Sequence, residues 1–296
     1  MSLYGQEPEA MLLAAFVSRL GNPIVIDVGA ERGSFAAEML AAGAAEVHSI
    51  EPEPANAAFL RDLFKDDPRV TVHELAATDA DRTLELRLSS DADGAPVTFG
   101  HTLLERPDTD EIAWRNTVTV EGRSLASLTA AGVLPSRVGV LKIDTEGNDA
   151  AVIAGIGDLE CDVIMIEHWT DLPHSLGPCP WSIDEIESAL RPRGFSHFAF
   201  IEHRGEFVLL KWDDGSVAAG YMGNLVFLHD RVVNDLMPDV LSSASRLAIT
   251  SAAAGEIYAT AARERLELVN RLDRECQLRL RAFEDLAASL VVPPPS

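Results

Sequence analysis

Cysteine is scarce in this chain, and what there is does not pair. Cys161, Cys179 and Cys276 are odd in number and far apart in a chain of 296 residues. They form neither a disulfide framework nor the close spacing of a zinc site, and they suit a reducing compartment. Positive charge is also short: 24 Lys and Arg stand against 47 Asp and Glu, for a net charge of −23 at pH 7. A body so negative repels phosphate backbones and anionic membrane surfaces, so neither nucleic acid nor membrane is an expected partner. High solubility is the plain consequence. No uninterrupted apolar run approaches the length that spans a bilayer. No basic segment followed by an apolar one opens the chain as a signal peptide would, and a cytoplasmic location is expected. The acidity is uneven. Residues 1–241 hold 17 of the basic residues and 40 of the acids, whereas residues 242–296 hold seven of each.

The chain does have apolar content enough to fill a core, 47% of its residues, and length enough for one large α/β domain with an appendage. Its most informative stretch is Val140-Leu141-Lys142-Ile143-Asp144-Thr145-Glu146-Gly147, an apolar run that stops at acids and a glycine. Val25-Ile26-Asp27-Val28-Gly29-Ala30 repeats the design more than a hundred residues earlier. Buried strands that end in acids carry polar groups to one edge of a sheet, and in open α/β sheets the ligand crevice lies at that edge.

Periodicity fills in the frame. Met11, Leu12, Ala15, Phe16 and Leu20 fall at helical spacing, which predicts a helix over residues 6–20. Strands are expected at 24–28, 47–50, 70–75, 138–143, 162–167 and 225–228, with helices at 34–42, 54–64, 124–132, 149–156 and 183–190, the last capped by Ser182. Ile24 to Val28 is apolar on both faces, as in a parallel strand covered on both sides. Leu84, Leu86 and Leu88, then Val118 and Val120, alternate in an antiparallel manner. The polar stretch 89–116 between them reads as a long surface loop, a common carrier of function. Residues 195–201 and 207–212 read as a hairpin around Arg204-Gly205. Repeated strand–helix alternation implies a doubly wound, mostly parallel sheet with an antiparallel edge. The expected division is a domain over 1–241 and an amphipathic helical extension over 242–296. In that extension Ala262, Val269, Cys276, Phe283 and Leu290 recur every seven residues, so it is expected either to fold back on the body or to form a homodimer.

At the predicted edge, Asp27-Val28-Gly29-Ala30-Glu31-Arg32-Gly33 leads from strand to helix. Gly29 would let backbone approach a ligand, and Gly33 would allow tight packing at the helix start. The loop matches neither G-x-G-x-x-G nor G-x-x-x-x-G-K-[ST], and an acid at position 27 suits an ammonium rather than a pyrophosphate. Glu51, followed by Pro52, ends the second strand, where a carboxylate can accept both hydroxyls of a ribose. Ala76 and Ala77, read as the end of the third strand, leave room for an adenine ring, with Asp79 or nearby backbone meeting its amine. Lys142 reads as a salt-bridge partner for a neighbouring acid.

Taken together, Val-Ile-Asp-Val-Gly-Ala, Ile-Glu-Pro and Leu-Lys-Ile-Asp-Thr-Glu-Gly resemble the FkbM-type methyltransferases over roughly residues 20–230. Glu31 departs from the resemblance, since the family usually has Asn there. The resemblance implies a class I, seven-stranded Rossmann-like fold, S-adenosyl-L-methionine as cofactor, and O-methylation of a hydroxyl on a sugar or secondary metabolite, a small molecule or glycan. It places Asp27 and Gly29 near the methionine portion, Glu51 at the ribose and Asp144 beside the methyl; Ala30, Gly33, Pro52, Ala76 and Ala77 are further residues expected to bind the cofactor. An acid-rich pocket favours a cationic sulfonium over its neutral product.

Candidates for taking the acceptor's proton are Asp144, Glu146, Glu167 and His168, since crowded acids are raised toward a useful range and histidine titrates near neutrality. No metal is assigned. If Mg²⁺ takes part, Asp144, Glu167 and His168 are its expected ligands, with Glu146 near. His101 and His174 fall in loops that would line the acceptor site. Trp114, Trp169 and Trp181 suit ring stacking or core packing equally. Two other readings use the same residues: a nicotinamide-dependent oxidoreductase, which the missing second glycine at position 31 disfavours, and a non-catalytic cofactor-binding scaffold with a helical interaction tail.

Overall fold

The computed structural model describes residues 8–109, 112–170, 178–204, 207–213, 215 and 222–252. The chain divides into two units, Met1–Met237 and Pro238–Ser296. The first begins with helix α1 (Pro8–Leu20), strand β1 (Ile24–Val28), helix α2 (Ser34–Ala41), strand β2 (Glu46–Ile50), helix α3 (Pro54–Leu63) and strand β3 (Val70–His73). Strands β4 (Ala76–Ala77), β5 (Arg82–Asp91) and β6 (Ile112–Arg123) follow, then helix α4 (Leu125–Ala130), strand β7 (Arg137–Ile143), helix α5 (Asp149–Ala154), strand β8 (Glu160–Trp169) and helix α6 (Ile183–Leu190). Strands β9 (His197–Arg204), β10 (Phe207–Trp212) and β11 (Met222–Leu228) close the unit, and helix α7 (Val233–Ala252) runs across its boundary.

Eight strands form the main sheet in the order β10-β9-β11-β8-β7-β1-β2-β3. β3, β2, β1, β7 and β8 run parallel, and β11, β9 and β10 join antiparallel. The parallel strands are apolar because helices cover both faces: Val25, Ile26, Val28, Val140, Leu141 and Ile143 are all at most 1% exposed. From β1 the chain moves outward to β2 and β3, then returns to place β7 on β1's other side. That reversal is a topological switch point, and it opens a crevice between the carboxyl ends of β1 and β7.

Local signals set the element ends. Pro54 opens α3, and the Glu53 carboxylate caps it by accepting the Asn56 N–H at 2.6 Å. Ser182 caps α6 through the Glu185 N–H, as expected from sequence. The predicted hairpin forms with β9 and β10 paired about Arg204 and Phe207.

Several expectations are corrected. The main sheet has eight strands rather than seven, because β10 extends the antiparallel edge. Ala76 and Ala77 do not end the third strand. They form β4, which pairs with β6 in a separate three-stranded sheet ordered β4-β6-β5. The alternating leucines and valines lie in the long β5–β6 ladder, and their inner faces gather Ala76, Leu86 and Val120 into a second small core. The loop read as 89–116 is shorter, since β5 continues to Asp91 and β6 starts at Ile112. Pro238 does not precede the last helix but lies within α7. The heptad positions from Ala262 onward, and any homodimer built on them, lie outside the described residues, as do residues 6 and 7. Among the described residues no helix is long and apolar enough to cross a membrane.

Candidate active site

Register sets up the crevice. Asp27 on β1 pairs with Lys142 on β7, one residue short of each strand's end. Both side chains are buried, Asp27 fully. The Lys142 ammonium lies 3.1 Å from Asp27 and 3.4 Å from Asp144, and donates to the Gly29 carbonyl at 3.0 Å. Burial alone would lower the Lys142 pKa, but two facing carboxylates outweigh it and hold the ammonium charged. Burial raises the Asp27 carboxyl, and Lys142 pulls against that. The ammonium that Asp27 meets is thus supplied by its own chain, and Asp27 is not part of the crevice wall.

Backbone bonds lock the neighbouring strand ends together. The Asp144 N–H donates to the Val28 carbonyl at 3.1 Å, and the Gly29 and Ala30 N–H groups reach the Ile50 carbonyl at 3.0 and 3.2 Å. Gly29 has φ +78°, and a Cβ there would collide with the Asp144 carbonyl oxygen. The approach that requires glycine is therefore made by the adjoining strand end. Gly33, at φ +82°, packs under Leu60 and Phe64 of the α3 segment, as expected.

The resulting cavity holds about 460 Å³, within the range of small-molecule sites. Gly29, Ala30, Glu51, Pro52, Ala76, Ala77, Lys142, Asp144 and Glu146 are among the residues that line it. Glu51 is 4% exposed. It accepts the Glu31 N–H on Oε2 at 2.8 Å and the Glu53 N–H on Oε1 at 2.9 Å, which leaves each oxygen a further lone pair. Burial pushes its carboxyl up to about 7 against the pull of those two bonds. Ala76 and Ala77 reach the cavity from the small sheet, and the Asn148 amide donates to the Ala77 carbonyl at 3.0 Å. Asp79 is drawn away into an ion pair with Arg82 at 2.6 Å.

The turn after β7 is stapled by a residue the sequence did not single out. The buried Asp149 carboxylate accepts the Thr145 and Gly147 N–H groups, each at 3.1 Å. Burial and the Asp144 charge raise it to about 6. Glu146 takes a left-handed φ of +53°, and its carbonyl accepts from Thr102 at 2.9 Å and Arg106 at 2.6 Å. Burial, reinforced by Asp144, pushes the Glu146 carboxyl up to about 8. Arg106 also lies over the Trp169 ring, 5.2 Å from its centroid.

The pairing of Ile143 with Ile166 sets Asp144 beside Glu167. Burial and the charges of Asp144, Glu146 and Asp149 raise the Glu167 carboxyl well above its ordinary range, but Glu167 is not among the cavity-lining residues. His168 points to the opposite face by strand alternation. It is 6% exposed, packs edge-on against Trp181 with ring centroids 4.7 Å apart, and burial lowers its pKa to about 4. It is therefore held neutral away from the cavity and does not join the acids. The set Asp144, Glu167 and His168 is thus not brought together to hold Mg²⁺; among the described residues no three His, Cys, Asp or Glu side chains gather as a metal site.

His101 does line the cavity, with Nδ1 accepting the Ser89 N–H at 3.0 Å. His174 lies outside the described residues. Trp114 donates its indole N–H to the Gly100 carbonyl at 2.7 Å and is buried, so it supports the loop rather than facing the cavity. Glu9 on α1 was not anticipated. It reaches the cavity wall and accepts from the Asn224 amide at 2.8 Å, a contact across 215 residues that no local pattern announces.

Against this geometry, the family model described as the methyltransferase FkbM domain matches residues 27–196. That is more than half of the chain, which belongs to this family. No curated protein matches the sequence. Among solved structures, methyltransferase FkbM from Methylobacillus flagellatus KT is 15% identical with a TM-score of 0.40, over 70% of this chain and 43% of that one. This chain thus spans less than half of the Methylobacillus protein. Magnesium protoporphyrin IX methyltransferase from Synechocystis PCC 6803, with bound SAM, is 12% identical with a TM-score of 0.41, over 75% and 78% of the two chains. Precorrin-6y C5,15-methyltransferase from Geobacter metallireducens GS-15 is 13% identical with a TM-score of 0.38, over 77% and 92%.

The ion pairs of Lys142 with Asp27 and Asp144 bear directly on stability. Lys142→Met strands a buried Asp27 carboxylate next to Asp144 and is expected to cost about 3–5 kcal/mol in urea unfolding. The double variant Asp27→Asn, Lys142→Met should recover part of that loss. A Lys142→Met cost below about 1 kcal/mol would show that the ion pair does not hold the edge.

Proposed function

We propose that this protein is an S-adenosylmethionine-dependent O-methyltransferase whose acceptor is a hydroxyl on a small molecule or glycan. The observation that carries this reading is the placement of Glu51 and the pair Asp144 and Glu146 on the wall of one cavity at the switch point of the sheet. The strand order, with β10 added at one edge, supports the class I arrangement implied by the resemblance.

The residues fit such a cofactor. Glu51 is a buried carboxylate with acceptor capacity left over, suited to a pair of ribose hydroxyls. Ala76 and Ala77 are small enough to admit a planar base, and Gly29 and Ala30 present backbone beside the acids. Bound there, the cofactor would supply an electrophilic methyl group on a cationic sulfur. Glu9, Glu31, Glu38 and Asp144 give the wall a negative potential that favours such a cation.

Methyl transfer to oxygen needs an aligned hydroxyl and a group that takes its proton. Of the four residues expected for that task, Asp144 and Glu146 line the cavity. Asp144 is the more open, with a 37% exposed side chain held by Lys142, and we assign it the proton. Glu146, raised to about 8, keeps its own proton at neutral pH and is suited to donating a hydrogen bond to the acceptor.

Asp144→Asn should lower labelled-methyl transfer to a panel of sugar and polyketide hydroxyls by at least about 100-fold, while S-adenosylhomocysteine affinity stays within about tenfold. Near-normal transfer would remove Asp144 from the mechanism. Glu51 should also make binding depend on pH. Its carboxyl is neutral below about 7 and becomes a charged acceptor above it, so calorimetric affinity for S-adenosylhomocysteine should rise between pH 6 and 8. Glu51→Gln should flatten that rise and bind more weakly at pH 8; an unchanged profile would reject the ribose role.

A further inference from the structure

Thr98 lies in the chain leaving β5, far in sequence from the strand-end motifs. Its hydroxyl nevertheless donates to Glu31 Oε1 at 2.6 Å, and its carbonyl accepts from the Asn56 amide at 2.8 Å. Both partners lead back to Glu51. Glu31 gives its own N–H to Glu51 Oε2. Asn56 gives its N–H to Glu53, whose N–H in turn holds Glu51 Oε1. The segment is therefore pinned on both sides of the one carboxylate suited to a ribose.

Two further observations argue that these bonds serve a ligand. Glu31 adopts φ +47°, a conformation disfavoured for a residue with a Cβ, and in it the backbone N–H meets Glu51 while the side chain meets Thr98. Beyond Thr98, residues Phe99, Gly100 and His101 continue the cavity wall, and Phe99 remains 54% exposed there. A large apolar ring left open at the wall of a cavity has surface to give to a bound ring.

We propose that residues 98–101 form a cover over the nucleoside half of the cofactor, latched by Thr98 between Glu31 and Asn56. Thr98 and Glu31 are then positioning residues, and Phe99 supplies apolar surface to the adenosine. The inference rests on the cofactor reading above. It goes beyond it by naming which half of the cofactor the segment covers and which two side chains hold it there.

The test is calorimetric binding of S-adenosylhomocysteine and of 5′-methylthioadenosine, which keeps the nucleoside and lacks the amino-acid end. Thr98→Val and Glu31→Ala should each weaken both ligands by about the same factor, about tenfold for one lost hydrogen bond to a charged group. Glu31→Gln keeps an acceptor for the Thr98 hydroxyl and should bind both ligands within about threefold of wild type. The double variant Thr98→Val, Glu31→Ala should be no weaker than either single one, since the same bond is lost. If S-adenosylhomocysteine weakens while 5′-methylthioadenosine does not, the segment covers the amino-acid end and the proposal is wrong. Unchanged affinity for both ligands in Thr98→Val overturns the latch alone. Failure of the wild-type protein to bind either ligand overturns the cofactor reading, and the cover with it.

Discussion

One buried ammonium holds the working edge of this molecule together. Parallel strands β1 and β7 both end in acids, and packing them side by side brings Asp27 and Asp144 close in a medium that screens charge poorly. Lys142, set opposite Asp27 by the strand register, supplies the cation both carboxylates need and also binds the Gly29 carbonyl. Without it the fold would have to bury an unpaired charge, an arrangement that costs several kcal/mol. With it, the loop after β1 and the turn after β7 are fixed relative to each other. Glycine at position 29 is a consequence of that close approach, because the Asp144 carbonyl occupies the place of a Cβ.

From that fixed edge the cavity is built by two sheets. The main sheet contributes strand ends with acids, the small β4-β6-β5 sheet contributes Ala76, Ala77 and Leu86, and the chain leaving β5 contributes Thr98, Phe99, Gly100 and His101. The acids then diverge in character through their surroundings. Glu51 accepts two backbone N–H groups and sits near neutrality, Glu146 is raised further by burial and by Asp144, and Asp149 is consumed in stapling its own turn. An acidic wall of this kind can combine a charged acceptor at one place with a protonated carboxyl at another, which is what methyl transfer to a hydroxyl asks of it.

Much of this was legible in the order of residues. Short continuous apolar runs that stop at an acid and a glycine mark strands covered on both faces, so β1, β7 and the crevice beside them could be placed from sequence, and so could the positions of Glu51, Asp144 and Glu146 at that edge. The failures have local reasons. Ala76 and Ala77 are too short a stretch to reveal that they leave one sheet for another. Position at the end of β8 and titration near neutrality suggest that His168 joins the acids, yet strand alternation sends it to the face opposite Glu167, and it lies against Trp181. Asp27 read alone suits a ligand's ammonium, because its actual partner, Lys142, stands 115 positions away in the chain. Thr98, Asn56 and Glu9 reach the cavity or its latch through long-range contacts, for which periodicity and spacing hold no signal.

The proposed function requires the strand-end acids to form one site for an adenosyl donor. A crystal structure of the protein with S-adenosylhomocysteine tests it most directly. Both ribose hydroxyls are expected on Glu51, the base against Ala76 and Ala77, and the sulfur beside Asp144. Electron density for the nucleoside at another place on the molecule, or with its ribose turned away from Glu51, would contradict it.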